Sequence, residues 1–155
     1  MKRLFIIVVF YFLISSALAD ESKNSSWDYY VQNNNGADIY SAAVYRENES
    51  LTVSCAVSSP SEVLLTVSFY SKNSFTIDGK LEIVDIQVDN SVFRQKWLAN
   101  HPQLVYVYQD DVLENLITYF KEESEVHIRP GAYNSFIKFN TVGGEKEIRK
   151  VMDQC

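Results

Sequence analysis

Few residues in this chain have the type and spacing to do chemistry, and the two cysteines come first. Cys55 and Cys155 are its only thiols. They lie far outside the Cys-x-x-Cys spacing that tunes a thiolate for exchange, so the expected chemistry is a structural disulfide rather than a redox-active pair. Such a bond would close a loop of about 100 residues, for which chain entropy gives about 4.7 kcal/mol of stabilisation. The histidines are His101, in "NHPQ", and His127, in "EVHIR". Neither sits in an H-E-x-x-H pair, a cysteine cluster or a D-x-D-x-D-G loop, so no metal site and no cofactor is expected. Glu125 and His127 share a strand face and make a two-ligand beginning, but ordinary surface Glu-His pairs have the same spacing.

Nucleophilic chemistry has no better footing. The chain has no G-x-S-x-G elbow, and its "VGG" lacks the lysine of a phosphate loop. Asp110 with Asp111, and Glu122 with Glu123, bracket a helical segment where carboxylates serve the helix ends. No catalytic residue is assigned. A small envelope hydrolase using His127, or carboxylates from distant segments, is the competing expectation, because spatial approach is invisible in sequence. Aromatic residues offer contact chemistry instead. "WDYY" and "LVYVY" place Trp27, Tyr29, Tyr30, Tyr106 and Tyr108 as interface residues, since Tyr and Trp are enriched where proteins meet.

Something must position these residues, and the period-two alternation of apolar side chains says it is a sheet. Strands are expected at Trp27 to Val31, Ile39 to Arg46, Ser50 to Ala56, Glu62 to Tyr70, Lys80 to Val88, Val92 to Leu98 and Leu104 to Tyr108. Turn material such as "NNNG", "ENE", "SSPS" and "DG" separates them. In "SLTVSCAV", Leu51, Val53 and Cys55 take one face and Thr52 and Ser54 the other, which puts Cys55 in a core-facing strand position. From Asp110 to Glu123 the spacing changes to that of an amphipathic helix, with Val112, Leu113, Leu116, Ile117 and Phe120 on one side and Asp111 and Glu114 as a capping box. Glu125 to Arg129 and Ser135 to Asn140 form a hairpin, in which Phe136 and Phe139 cannot share a face unless a bulge or a shifted boundary intervenes. A last helix begins after Gly143-Gly144, and Ile148, Val151, Met152 and Cys155 fall on one side of it. That side faces the sheet, so Cys55 is the natural partner of Cys155. The fold class is mainly β with two helices (α+β): an antiparallel sandwich or curved sheet, with a helix after the seventh strand and a C-terminal helix tied to the sheet.

Residues 1–19, "MKRLFIIVVFYFLISSALA", have the basic start, short apolar run and Ala-x-Ala ending of a cleaved secretory signal. The remaining residues 20–155 fit a single exported domain, periplasmic or secreted, with no integral membrane segment after cleavage. The chain carries 14 Lys and Arg against 20 Asp and Glu. Cleavage removes Lys2 and Arg3, which leaves a net charge of −8. An acidic surface argues against nucleic acid and permits a basic protein partner. Asn24 and Asn48 stand in N-x-S/T sequons, which matter only in a glycosylating host.

Trp27, the "LTVSC" strand, Trp97, and the ending in which Phe139, Gly143, Ile148, Val151 and Cys155 recur together resemble small exported bacterial proteins. The families are the type VI secretion-associated (VasI-like) and invasion-associated locus B-like ones. That resemblance implies a periplasmic or secreted β-rich domain with a strand-to-terminus disulfide, and it brings no catalytic residues. The leading expectation is a non-enzymatic module that binds another envelope or secreted protein, as a secretion-system accessory or an inhibitor or immunity protein would. A surface or adhesion protein is the third reading.

Overall fold

The structure, a computed structural model, describes residues 27–74, 80–108 and 110–155, with the backbone alone for residues 80, 100 and 110–112. The expected signal segment 1–19, Asn24 and the side chain of Asp111 in the expected capping box lie outside what it describes.

Among the described residues, nine antiparallel strands form one sheet. They are β1 Asp28–Asn34, β2 Ala37–Arg46, β3 Glu49–Ser59, β4 Glu62–Ser71, β5 Lys80–Val88, β6 Ser91–His101, β7 Leu104–Val107, β8 Glu125–Pro130 and β9 Ile137–Asn140. Helix α1, Asp110–Glu122, follows β7, and helix α2, Gly144–Met152, follows β9. The strand order is β1-β2-β3-β4-β7-β6-β5-β8-β9. This is the mainly β, two-helix architecture expected from the alternation, and its sheet is strongly curved. At one place β2 meets β9 although they stand far apart in the order: Arg46 Nη1 donates to the Lys138 carbonyl at 3.2 Å.

Tight turns set the register. β1 and β2 join through Asn35 and Gly36, both with positive φ (51° and 87°), the conformation that a two-residue hairpin turn requires. Asn33 and Asn34, expected in the turn, therefore belong to β1, and that strand starts at Asp28 rather than Trp27. Glu47 and Asp89 take positive φ in the two-residue turns that follow β2 and β5.

Paired residues in neighbouring strands share a face, so the registers sort the sheet into two sides. The inner side carries Ala42 and Val44, Leu51, Val53 and Cys55, Val67 and Phe69, Val105 and Val107, Val84 and Ile86, and Ile128. Both helices pack on it. Leu113, Leu116 and Phe120 of α1, and Ile148 and Val151 of α2, join one continuous apolar core with Trp97 and Phe139. The hairpin question resolves as a shifted boundary: β9 begins at Ile137, so Ile137 and Phe139 face inward while Phe136 lies just outside the strand.

Trp27 locks the helices to the first strand. It is 5% exposed, its indole N–H donates to the Thr141 carbonyl at 3.2 Å, and its ring lies 6.2 Å from that of Phe120. Gly144 must be glycine here, because a Cβ would come within 2.6 Å of the Phe120 carbonyl oxygen and 2.7 Å of the Trp27 nitrogen. Gly143, at φ 84°, supplies the left-handed residue that opens α2.

Cys55 and Cys155 form a disulfide, with Cα atoms 6.0 Å apart. Helix α2 ends at Met152, so Cys155 reaches the sheet from the turn beyond the helix and not from its apolar face. Cys55 is fully buried, on the inner side, in the strand position that the alternation predicts. Among the described residues no helix is long and apolar enough to cross a membrane. That and the disulfide are compatible with an exported protein.

Candidate functional site: the sheet face without helices

The opposite side of the sheet carries neither helix. One transect, read through the pairings, runs Leu81, Leu98, Tyr106, Ser68, Thr52, Ala43, Asp28 across seven strands. Its two halves differ in chemistry. On β2, β3 and β4 the middle of this side carries small side chains, Ser41, Ala43, Ser54, Thr66 and Ser68, which are buried among their neighbours. Hydroxyls tie this half together: Ser41 and Ser54 lie 2.9 Å apart, oxygen to oxygen, and the Tyr30 hydroxyl bonds with Ser41 and Tyr45. Burial raises the phenol pKa of Tyr30 and of Tyr45, so both stay neutral hydrogen-bonding groups.

On β5, β6 and β7 the same side is open, and its apolar side chains stand among charged ones. Leu81, Ile83, Val92 and Tyr108 are exposed, and the rings of Tyr106 and Tyr108 stack with centroids 6.3 Å apart. Around them stand charges in a ladder. Asp85 is buried between two guanidiniums: Arg94 donates to it at 2.7 and 3.1 Å, and Arg129 at 2.6 Å. These hydrogen bonds, first from Arg94 and then from Arg129, pull the Asp85 pKa from 3.8 to about 2. The Arg129 guanidinium also lies 4.7 Å over the ring of Phe136. Farther along β8, Glu125 accepts from both Lys138 and His127, which lowers its pKa. Lys96 stands opposite Ile83 and completes a group of four cations on this half of the face.

The aromatic residues singled out by sequence are thus divided. Tyr30, Tyr106 and Tyr108 share the helix-free side, with Tyr30 on β1 about 19 Å, or four strand spacings, from the other two. Tyr29 points to the inner side, packs against the core, and has the Lys150 ammonium 5.2 Å above its ring. Trp27 is a core residue and offers no surface, because its indole is consumed by Thr141, Phe120 and the start of α2. Glu125 and His127 do come together, as their shared face requires, but Lys138 makes the group an ion-pair ladder. Among the described residues no three metal-ligating side chains converge.

Leu81, Ile83 and the four cations were missed by the search for aromatics. A signal for the first two exists in "LEIVDIQV". Val84, Ile86 and Val88 keep one phase of the alternation, while Leu81 and Ile83 occupy the other, so Ile83 and Val84 side by side mean that both faces are apolar there.

No family model, no curated protein and no solved structure matches the chain.

Proposed function

We propose that the protein is an exported, non-enzymatic binding module, whose helix-free sheet face is the contact surface for another envelope or secreted protein. The observation that carries this reading is the open apolar strip of β5 to β7, with Leu81 at 56% and Ile83 at 44% exposure on a side that neither helix covers. Clustered apolar side chains on a sheet face cost solubility unless they meet something, and stacked tyrosines beside them are common anchors at interfaces. The resemblance to VasI-like and invasion-associated locus B-like proteins agrees with a secretion-accessory role, and the disulfide agrees with an oxidising compartment. An inhibitor or immunity protein would use the same kind of surface.

Co-purification of the mature chain from envelope and secreted fractions tests the reading. A specific partner is expected, retained by the parent chain and lost with Leu81→Glu or Ile83→Glu while the thermal midpoint stays the same. Repeated recovery of no partner, or equal recovery with both variants, would overturn it.

A further inference from the structure

The chain's net charge of −6, which cleavage of residues 1–19 would make −8, points to a basic partner, but the charges on the open face are arranged differently. Resting on the binding-module reading, we propose that the helix-free side of β5, β6, β8 and β9 docks a protein segment that presents carboxylates beside apolar side chains. Four cations, Arg94, Lys96, Arg129 and Lys138, project on this side against two carboxylates, Asp85 and Glu125, and both carboxylates are already ion-paired. The acidic excess on the helical layer lies on α1, where Asp110, Asp111, Glu114 and Glu122 stand against Lys121, with Glu123 just beyond the helix; on α2, Glu145 and Glu147 are outnumbered by Lys146, Arg149 and Lys150. An acidic segment approaching the molecule is therefore repelled by α1 and attracted by this side of the sheet, which biases its side of approach.

The surface is also prepared for carboxylates. Asp85 binds the inner edge of Arg94 while that side chain remains 68% exposed, and it anchors Arg129, which Phe136 supports from below. A guanidinium already fixed in orientation loses little freedom when it captures a carboxylate, and its planar fork suits two-point contact. Along β6, Val92, Arg94, Lys96 and Leu98 follow one another at two-residue steps, apolar at the ends and cationic in the middle. That repeat of about 7 Å matches the spacing of successive same-side residues in an extended segment. The expected partner sequence is thus a strand-like stretch with acidic residues flanked by apolar ones.

A photo-crosslinking amino acid placed at Leu81, and for comparison at Glu122 on α1, tests this in the full chain expressed in its exporting host. The expected result is a protein adduct from position 81 whose crosslinked peptide is acidic and apolar. Its yield should fall at least about fivefold in the double variant Lys96→Glu, Lys138→Glu. The double variant should keep its disulfide and, because reversing Lys138 costs only its surface pairing with Glu125, lose no more than a few degrees of thermal midpoint, which separates lost docking from lost folding. An adduct from position 122 alone would overturn the proposed surface and leave the binding module standing. An adduct at position 81 that survives the charge reversal, maps to a basic peptide, or consists of phospholipid or a second copy of the chain would overturn the proposed partner chemistry. No protein adduct from either position would remove the binding-module reading itself.

Discussion

The two sides of this sheet have nearly the same backbone and opposite occupations. On the inner side, Val53, Phe69, Trp97 and Ile86 meet two helices and are sealed; on the other, Leu81 and Ile83 are as apolar and meet neither helix. Alternation alone does not create that difference on β5, because Leu81 and Ile83 in one phase and Val84 and Ile86 in the other make both faces of that strand apolar. What decides it is where the chain sends its helices. α1 leaves β7 and α2 leaves β9 toward the same side, and the Cys55–Cys155 bond and the Trp27–Gly144 contact hold them there.

The comparison can be broken most severely at the clasp. Cys155→Ser should destabilise the fold by up to about 4.7 kcal/mol, the chain-entropy value for a loop of this length, and denaturant unfolding with and without reductant measures it. A loss near zero would mean that packing alone holds α2 to the inner side. Next comes Trp97→Ala, which empties a fully buried inner-face site and should cost about 3 to 5 kcal/mol in the same assay.

Asp85 gives a smaller effect that belongs to the open side. Its folded pKa is depressed, so its contribution is complete above the unfolded value of 3.8 and disappears as pH falls through about 2. Asp85→Asn should therefore lose about 2 kcal/mol at neutral pH, and the gap from the parent should close below about pH 2. Urea midpoints taken at pH 7, 4 and 2.5 trace this. The smallest change is expected for Leu81→Ser and Ile83→Thr, within about 0.5 kcal/mol of the parent by thermal melting. Losses of several kcal/mol there would show that part of the protein itself covers this side, and the contrast between the faces would fail.

Much of the inner side could be read from the residues. Leu51, Val53 and Cys55 declared their face by alternation, Leu116 and Phe120 declared a helix by spacing, and two cysteines without Cys-x-x-Cys spacing declared their bond. Turn chemistry was less legible: in "NNNG" only the last Asn and the Gly adopt positive φ, a choice the sheet register makes. Trp27 looked like surface because it precedes two tyrosines. Its burial depends on Thr141 and Gly144, more than a hundred residues away. The cationic group was illegible for the same reason. Arg94, Arg129 and Lys138 are scattered in sequence and become neighbours only because β5 pairs with β8 and β8 with β9.

The bond between Cys55 and Cys155 also turns most of the molecule into a ring. Everything from the middle of β3 through α2 lies inside it, while β1 and β2 hang outside as a tail. A protease that cuts once inside the ring, for example at the exposed Asp89-Asn90 turn, opens a circle and releases nothing; the product still migrates as one covalent species until it is reduced. A cut at the exposed Glu47-Asn48 turn severs the first hairpin outright, leaving it attached by hydrogen bonds and packing alone. Wherever proteases meet the protein, the two classes of surface turn therefore carry unequal risk, and the first hairpin is where damage becomes permanent.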